Sequence, residues 1–330
     1  YDVIVLHGRI ELRLLQKLSF LRKKYVYDVD DYWYCTPDRN FYNEWKVKEH
    51  AYWIESAIQE AAIVTCTSDI LAHYIKKHTK VTAYVLPNAI AEHDPQFTPV
   101  ETKSDRLRFG FIGGSSHMMD IPIVGNAVTK LYYNYPEYRD KWQIVFGGFD
   151  TLAIALSQNG VRQSFKQKNL PSVNIEKWLT NDYSILDIDY VCELKKYSGS
   201  SVATDKQYRR IWTTNVHEYG KMFNEVDIVL APLVDNTFNR CKSNLKIVEA
   251  GWMGKEVIAS DLGTFKDGKT EDDIMLCDSE EEWLGAMLSD IENFIATGHP
   301  IRSNLKDLVH EHYNVKNFAV KRFELYKTLI

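Results

Sequence analysis

Short apolar runs alternate with longer helical patterns along most of this 330-residue chain, and that alternation restricts its fold more than any other feature. The first hundred residues read "DVIVL" (2–6), a helix over "IELRLLQKLSFLRKK" (10–24), "YVYDVDD" (25–31), then a long helix from Phe41 to Ala62. "IVTCTS" (63–68), a helix over "DILAHYIKKH" (69–78) and "TAYVLPNAI" (82–90) continue the series. Strand and helix in turn imply a parallel sheet with crossover helices. The rhythm stops in "VLPNAIAEHDPQFTPVETKSDR" (85–106), whose prolines and polar residues suit a linker.

A second series then begins. "LRFGFIGG" (107–114) leads into an amphipathic stretch from Met119 to Asn134, followed by "WQIVFGG" (142–148), "VNIEKWL" (173–179), "VDIVLAPL" (226–233), "KEVIAS" (255–260) and "DIMLC" (273–277). Six runs of strand length make a second doubly wound sheet. The expected organisation is therefore α/β: a Rossmann-like domain over 1–100 and another over 101–312. The polar, Ser-rich stretch near 180–212 reads as an insertion into the second domain, and 313–330 as a helix that could pack across either domain, including back on the first. The chain opens on Tyr1 with a run that reads as a buried strand, so it is expected to start inside a domain, with the N-terminal one incomplete.

Composition excludes several function classes. The formal charge of -5 argues against non-specific nucleic-acid binding, which needs a surplus of basic residues to release counterions. Five cysteines without a CxxC pair suggest neither a zinc knuckle nor a disulfide framework, and a reducing cytoplasm fits them best. No run of about 18 apolar residues is present to span a membrane.

In an open parallel sheet, ligands bind beyond the carboxyl ends of the strands, so the turns there carry the functional expectations. The first turn of the second series is "FIGGSSHMMD" (111–120). Gly113 and Gly114 allow a tight turn, and the backbone NH groups around Ser115 and Ser116 could cradle a phosphate at the next helix's start. The stretch lacks GxGxxG, and a plain strand-to-helix connection remains the other reading.

A second turn leads into "CKSNLKIVEAGW" (241–252). Lys242, Lys246 and Glu249 share one stripe of a helix, with Leu245, Val248 and Trp252 on one side and Ile247 and Ala250 on the other. Two lysines four apart repel unless an anion lies beside them. Lys246 with Glu249 could be an ordinary i, i+3 ion pair. Apolar flanks nevertheless imply a buried helix whose charges need partners. With Ser243 and Asn244 in its first turn, its N-terminus would present backbone donors to a phosphate. Two lysines, that N-terminus and the Gly-Gly turn suit a diphosphate, and Glu249 suits sugar hydroxyls, so the expected ligand is a nucleotide sugar.

These residues carry a family resemblance. The run 217–265, "HEYGKMFNEVDIVLAPLVDNTFNRCKSNLKIVEAGWMGKEVIASDLGTF", resembles the donor-binding domain of family 4 glycosyltransferases of the GT-B class, and "AAIVTCTSDILAHYIKK" with "VTAYVLPNAI" is similar to the end of their N-terminal domain. It covers most of the chain from Tyr25 to Asp278 outside the insertion. The resemblance implies two Rossmann-like domains facing a central cleft and a retaining transfer without metal or other cofactor, from a nucleoside-diphosphate sugar to a saccharide or lipid-linked saccharide acceptor, as in surface polysaccharide synthesis. Glu249 matches the second glutamate of the family's EX7E pattern, which contacts the ribose, whereas the first falls on Cys241. Lys242 and Lys246 would then stabilise the leaving diphosphate. The departure at Cys241 keeps open a sugar-binding or scaffold subunit that has lost catalysis, and a related epimerase is a third reading.

The first domain is expected to supply the acceptor side. Asp28, Asp30 and Asp31 end a strand, where capping or binding acceptor hydroxyls suits them better than holding a metal. His7 and Arg9 follow another strand, with a base role or a structural role open to His7. Arg9, Arg13 and Lys17 recur beside Leu14, Leu18 and Leu21, and the charge continues to Lys24. That basic helix is either a solvated face or a contact with an anionic membrane surface at its cytoplasmic side.

Overall fold

The computed structural model describes residues 3–8, 12–34, 44–114, 117, 119–148, 153–156, 162–165, 179–180, 185, 207–211 and 214–330. They form two parallel sheets. Strands β1 (Val5–His7), β2 (Val26–Val29), β3 (Ile63–Cys66) and β4 (Tyr84–Val85) make the first, in sequence order across the sheet. Helices α1 (Leu12–Phe20), α2 (Glu44–Glu60) and α3 (Asp69–Thr79) join them. The first is shorter than its periodicity predicts, while α3 keeps its expected range and adds Thr79. The α1 pattern runs to residue 24, yet Arg22 takes a left-handed φ of 50°, which a helix cannot continue through. The apolar run 82–90 yields only two strand residues before Pro87 removes a backbone donor.

The second sheet contains β5 (Leu107–Ile112), β6 (Trp142–Gly147), β9 (Tyr208–Ile211), β10 (Ile228–Ala231), β11 (Glu256–Ser260) and β12 (Met275–Cys277), in the order β12-β11-β10-β5-β6-β9. A separate antiparallel pair joins β7 (Ala153–Leu156) and β8 (Arg162–Phe165). In the six-stranded sheet the winding reverses between β5 and β10, which opens a crevice at the carboxyl ends of those two strands. In β5, β6 and β10 every residue is buried, as expected of strands covered on both faces. Helices α4 (Pro122–Asn134) and α7 (Glu280–Thr297) cover one face, built on Phe109, Phe146, Trp142 and Trp283. The other is covered by α6 (Leu245–Trp252) and α8 (Leu305–His312), with Val145, Val229, Val248 and Val309 in its core.

The edge strand β9 is a departure from expectation. It falls inside the range read as an insertion, while Leu179, the end of the expected strand 173–179, is helical; residues 173–178 lie outside the described ones. "YRRI" hides from a search for apolar runs because its two central residues are arginines, although the fold buries both. Arg209 is buried and pairs with Glu225 at 2.6 Å.

The two halves meet in a seam. Ser68 caps α3 by accepting from the Leu71 amide (3.2 Å), and its hydroxyl also donates to the Cys241 carbonyl (3.3 Å), beyond the short helix α5 (Thr237–Arg240). The Cys241 side chain packs into the core of the first sheet. Ile90 bridges to Asn314, from which α9 (Val315–Lys327) returns toward the first sheet, with Lys321 donating to the Val85 carbonyl at 3.3 Å.

Candidate functional site

A cleft of about 560 Å³ opens where the sheet winding reverses, and residues of both halves line it. From the second domain come Gly113, Gly114, His117, Tyr219, Lys242, Ser243, Lys246 and Glu249, and from the first Asp30, Asp31 and Asn88. Its floor is the end of β5. The Gly113 amide donates to the Gly147 carbonyl at 3.0 Å, and next to it Gly148 takes a φ of +91°. A Cβ on Gly148 would stand 2.7 Å from the Gly113 carbonyl oxygen, so only glycine lets the two turns approach this closely.

Lys246 and Glu249 of α6 face this floor, whereas Lys242 and Ser243, expected on the same helix, stand in the turn before it, because the helix starts only at Leu245 with Asn244 as its N-cap. Lys246 donates to the Ile112 carbonyl and lies 3.7 Å from Glu249. Glu249 is only 3% exposed, and the Tyr219 hydroxyl donates to its other oxygen. Burial raises the Glu249 carboxyl above its ordinary range, while Lys246 and the Tyr219 hydrogen bond oppose that. Burial and the adjacent Glu249 also push the Tyr219 phenol up. The ammonium of Lys242 sits 5.2 Å above the Phe238 ring, and its backbone carbonyl accepts from Thr264 at 2.6 Å. Ser243 accepts from Asn88 at 2.8 Å, a hydrogen bond that crosses between the halves.

Across the cleft stands Asp31. Loss of hydration in the recess and the neighbouring Asp30 raise its carboxyl, and Lys242 and His7 draw it down. His7 itself is exposed beside the cleft, with one ring nitrogen 3.3 Å from Asp28 and the other 3.4 Å from Asp30. Asp28 also accepts from Thr65, so it is tied to β3 and does not line the cleft. Arg9, Ser115 and Ser116 lie outside the described residues.

Asn244 is placed differently from its expected role at a phosphate. Its amide donates to Asp267 (2.6 Å) and to the Tyr313 hydroxyl (2.8 Å), in a buried knot between α6 and the end of α8. Cys241, where the resemblance places a glutamate, is fully buried in the seam. The sequence reading also passed over Asn88, Tyr219 and the pair His117–Asp120. His117 stood in the quoted glycine turn, and a histidine three residues before an aspartate was the available signal; for Asn88 and Tyr219, brought in from distant segments, no local spacing gives one.

No known family profile matches the chain, and no curated protein matches it in sequence. Solved structures do match in shape. Sucrose-phosphate synthase from Thermosynechococcus elongatus superposes with a TM-score of 0.60 at 14% identity, over 100% of this chain and 74% of that one. HepE of Anabaena in complex with UDP gives 0.59 at 13%, over 98% and 79%. The trehalose-6-phosphate synthase OtsA gives 0.60 at 11%, over 100% and 73%. Two parallel α/β sheets with a cleft between them, superposed over the whole length of the chain, place this protein in the GT-B fold that those structures share.

Proposed function

We propose that this protein is a glycosyltransferase that moves a sugar from a nucleoside-diphosphate donor to a saccharide or lipid-linked saccharide acceptor. The observation that carries the reading is the convergence of Lys242, Lys246 and Glu249 with the Gly113–Gly114 turn in one cleft, opposite Asp30 and Asp31. A diphosphate leaving group is the largest charge to develop in such a transfer, and preorganised cations aimed at it stabilise the transition state most. Lys242 and Lys246 supply that charge from the protein itself, so the transfer is proposed to need no metal, and the family resemblance of 217–265 supports retention at the anomeric carbon. The complex of the similarly folded HepE with UDP supports a nucleotide donor. Asp30 and Asp31 are assigned to acceptor hydroxyls.

The test is turnover. The protein is incubated with UDP-, GDP- and dTDP-sugars and candidate acceptors, and nucleoside diphosphate release is measured. Release with one donor, falling by about 10²–10³-fold in Lys246→Ala, is the expected result. Binding without release in every combination would favour the non-catalytic subunit instead.

A lipid-linked acceptor would also give the first domain's surface a role. Phe20 is 85% and Leu21 49% exposed at the end of α1, among Arg13, Lys17, Arg22, Lys23 and Lys24. Apolar side chains standing among cations suit the interface of an anionic bilayer. Flotation with anionic liposomes, lost when Phe20 and Leu21 are replaced by serine, is expected. No flotation of the wild-type protein would remove membrane contact.

A further inference from the structure

His117 stands at the cleft in an arrangement that the donor-site reading leaves without a role. Its Nδ1 lies 2.9 Å from Asp120. That aspartate is buried, and its second carboxylate oxygen accepts from the Val234 amide (2.9 Å) and the Asn239 side chain (3.1 Å), so it is anchored to the segment after β10 as well as to its own turn. A carboxylate only accepts, so Nδ1 carries the ring proton and Nε2 is left as the nitrogen that a ligand can meet. The Phe111 ring, edge-on at 5.9 Å, packs beside the imidazole.

Among the described residues, the charged groups facing His117 are Asp120 from its own turn, Lys242 from the turn between α5 and α6, and Lys246 from α6. Glu249 lies in the same cleft beyond Lys246. Burial holds the imidazole below its ordinary value of 6.5, with Asp120 opposing and the two ammoniums reinforcing that depression. Burial and the two ammoniums thus favour the neutral ring over the cationic one. A dianionic diphosphate entering beside two lysines reverses the local field.

We propose that His117, locked in place by Asp120, is a third cationic contact for the donor diphosphate, and that Nε2 takes up a proton from solvent as the donor binds. The inference rests on the nucleotide-sugar reading of this cleft. One N–H bond forms on the ring, buffer or water supplies the proton, and no other bond changes. The chemistry places His117 against the leaving group with the two lysines, and Asp120 as the residue that positions it.

Calorimetric titration of the full chain with UDP-glucose, GDP-mannose and dTDP-glucose tests this. Their diphosphates are diesters that do not titrate between pH 5 and 8, so any proton exchanged goes to or from the protein. In buffers of different ionisation enthalpy at pH 7, the binding donor is expected to bring uptake of a fraction of a proton up to one. Its Kd tightens as pH falls, by at most about tenfold per unit between the free and bound pKa values. His117→Gln abolishes uptake and the pH dependence, and Glu249→Gln retains both, which separates the imidazole from the raised carboxyl. Should the glutamine variant not fold, the imidazole signals of the wild-type protein, followed by NMR, must include one ring whose pKa rises on donor addition. Donor binding without uptake, uptake unchanged in His117→Gln, or the absence of such a ring overturns the inference and leaves the donor reading standing. Failure of all three donors to bind overturns both.

Discussion

At the scale of single residues, Cys241 separates what the sequence motif implies from what the fold permits. The motif calls for a glutamate there that would reach a sugar, but the side chain is 0% exposed in the core of the first sheet. A carboxylate at this point would have to be buried, and a buried charge left uncompensated costs about 3–5 kcal/mol. Cys241→Glu is therefore expected to lower the melting temperature by many degrees, whereas Cys241→Ala costs about 1 kcal/mol. Wild-type stability in the glutamate variant, with faster turnover, would mean that the position opens to the cleft after all. The pairing of Lys246 with Glu249 was legible in the sequence because helical periodicity fixes which side chains share a face, but Lys242 reaches the cleft from the turn before α6 and not from the helical stripe expected for it. Tyr219, which holds Glu249, was not legible. Its contact spans thirty residues and depends on how a 3-10 turn docks under α6.

At the scale of elements, alternation of apolar runs identified most strands of both sheets, since strands buried on both faces are continuously apolar. It failed at β9, where two buried arginines stand among the strand residues, and it could not give the order of strands, which depends on long-range pairing. The same trade between burial and charge appears on α7. Asp290 is buried, accepts from the Ile301 amide at 2.9 Å and so fastens the segment after the helix. Burial raises its carboxyl to about 6, with the Ile301 hydrogen bond opposing and Glu256 adding to the shift. The folded value lies above the unfolded one, so this group's contribution to stability is complete below about pH 4 and is lost as pH rises through about 6. The loss is on the order of 2–3 kcal/mol. Asp290→Asn keeps an oxygen for the Ile301 amide and removes the charge. Denaturant titrations are expected to show it more stable than wild type at pH 8, with the difference shrinking toward pH 5; a difference independent of pH would mean that the aspartate titrates normally.

At the scale of the whole molecule, the cleft exists only because two separately built sheets are held facing each other. Among the described residues, the contacts that join them include the Cys241 seam, the Asn88–Ser243 hydrogen bond inside the cleft, and the returning helix α9. The last of these buries no side chain fully. It grips by its edges, through the Ile90–Asn314 bridge, the Lys316–Glu92 ion pair and the Lys321 bond to the Val85 carbonyl. Exposed ion pairs contribute about 0–1 kcal/mol each, so the helix adds little to either core and acts mainly on how the two halves are disposed. Removing residues 315–330 should therefore cost about 1–2 kcal/mol, a fall in melting temperature of about 2–8 °C, without loss of the secondary structure of the rest. The larger effect is expected on the cleft. Asn88, Asp30 and Asp31 are carried by one half and Lys242 and Lys246 by the other, so a wider spread of relative positions lowers the fraction of molecules ready to bind and raises the donor Kd by that fraction. Calorimetry that resolves two transitions in the truncated chain where the intact chain gives one, together with weaker donor binding, is the expected signature. A truncated chain that does not fold would show α9 to be part of a core, and one that binds donor as tightly as the intact protein would show the seam alone to hold the cleft in register.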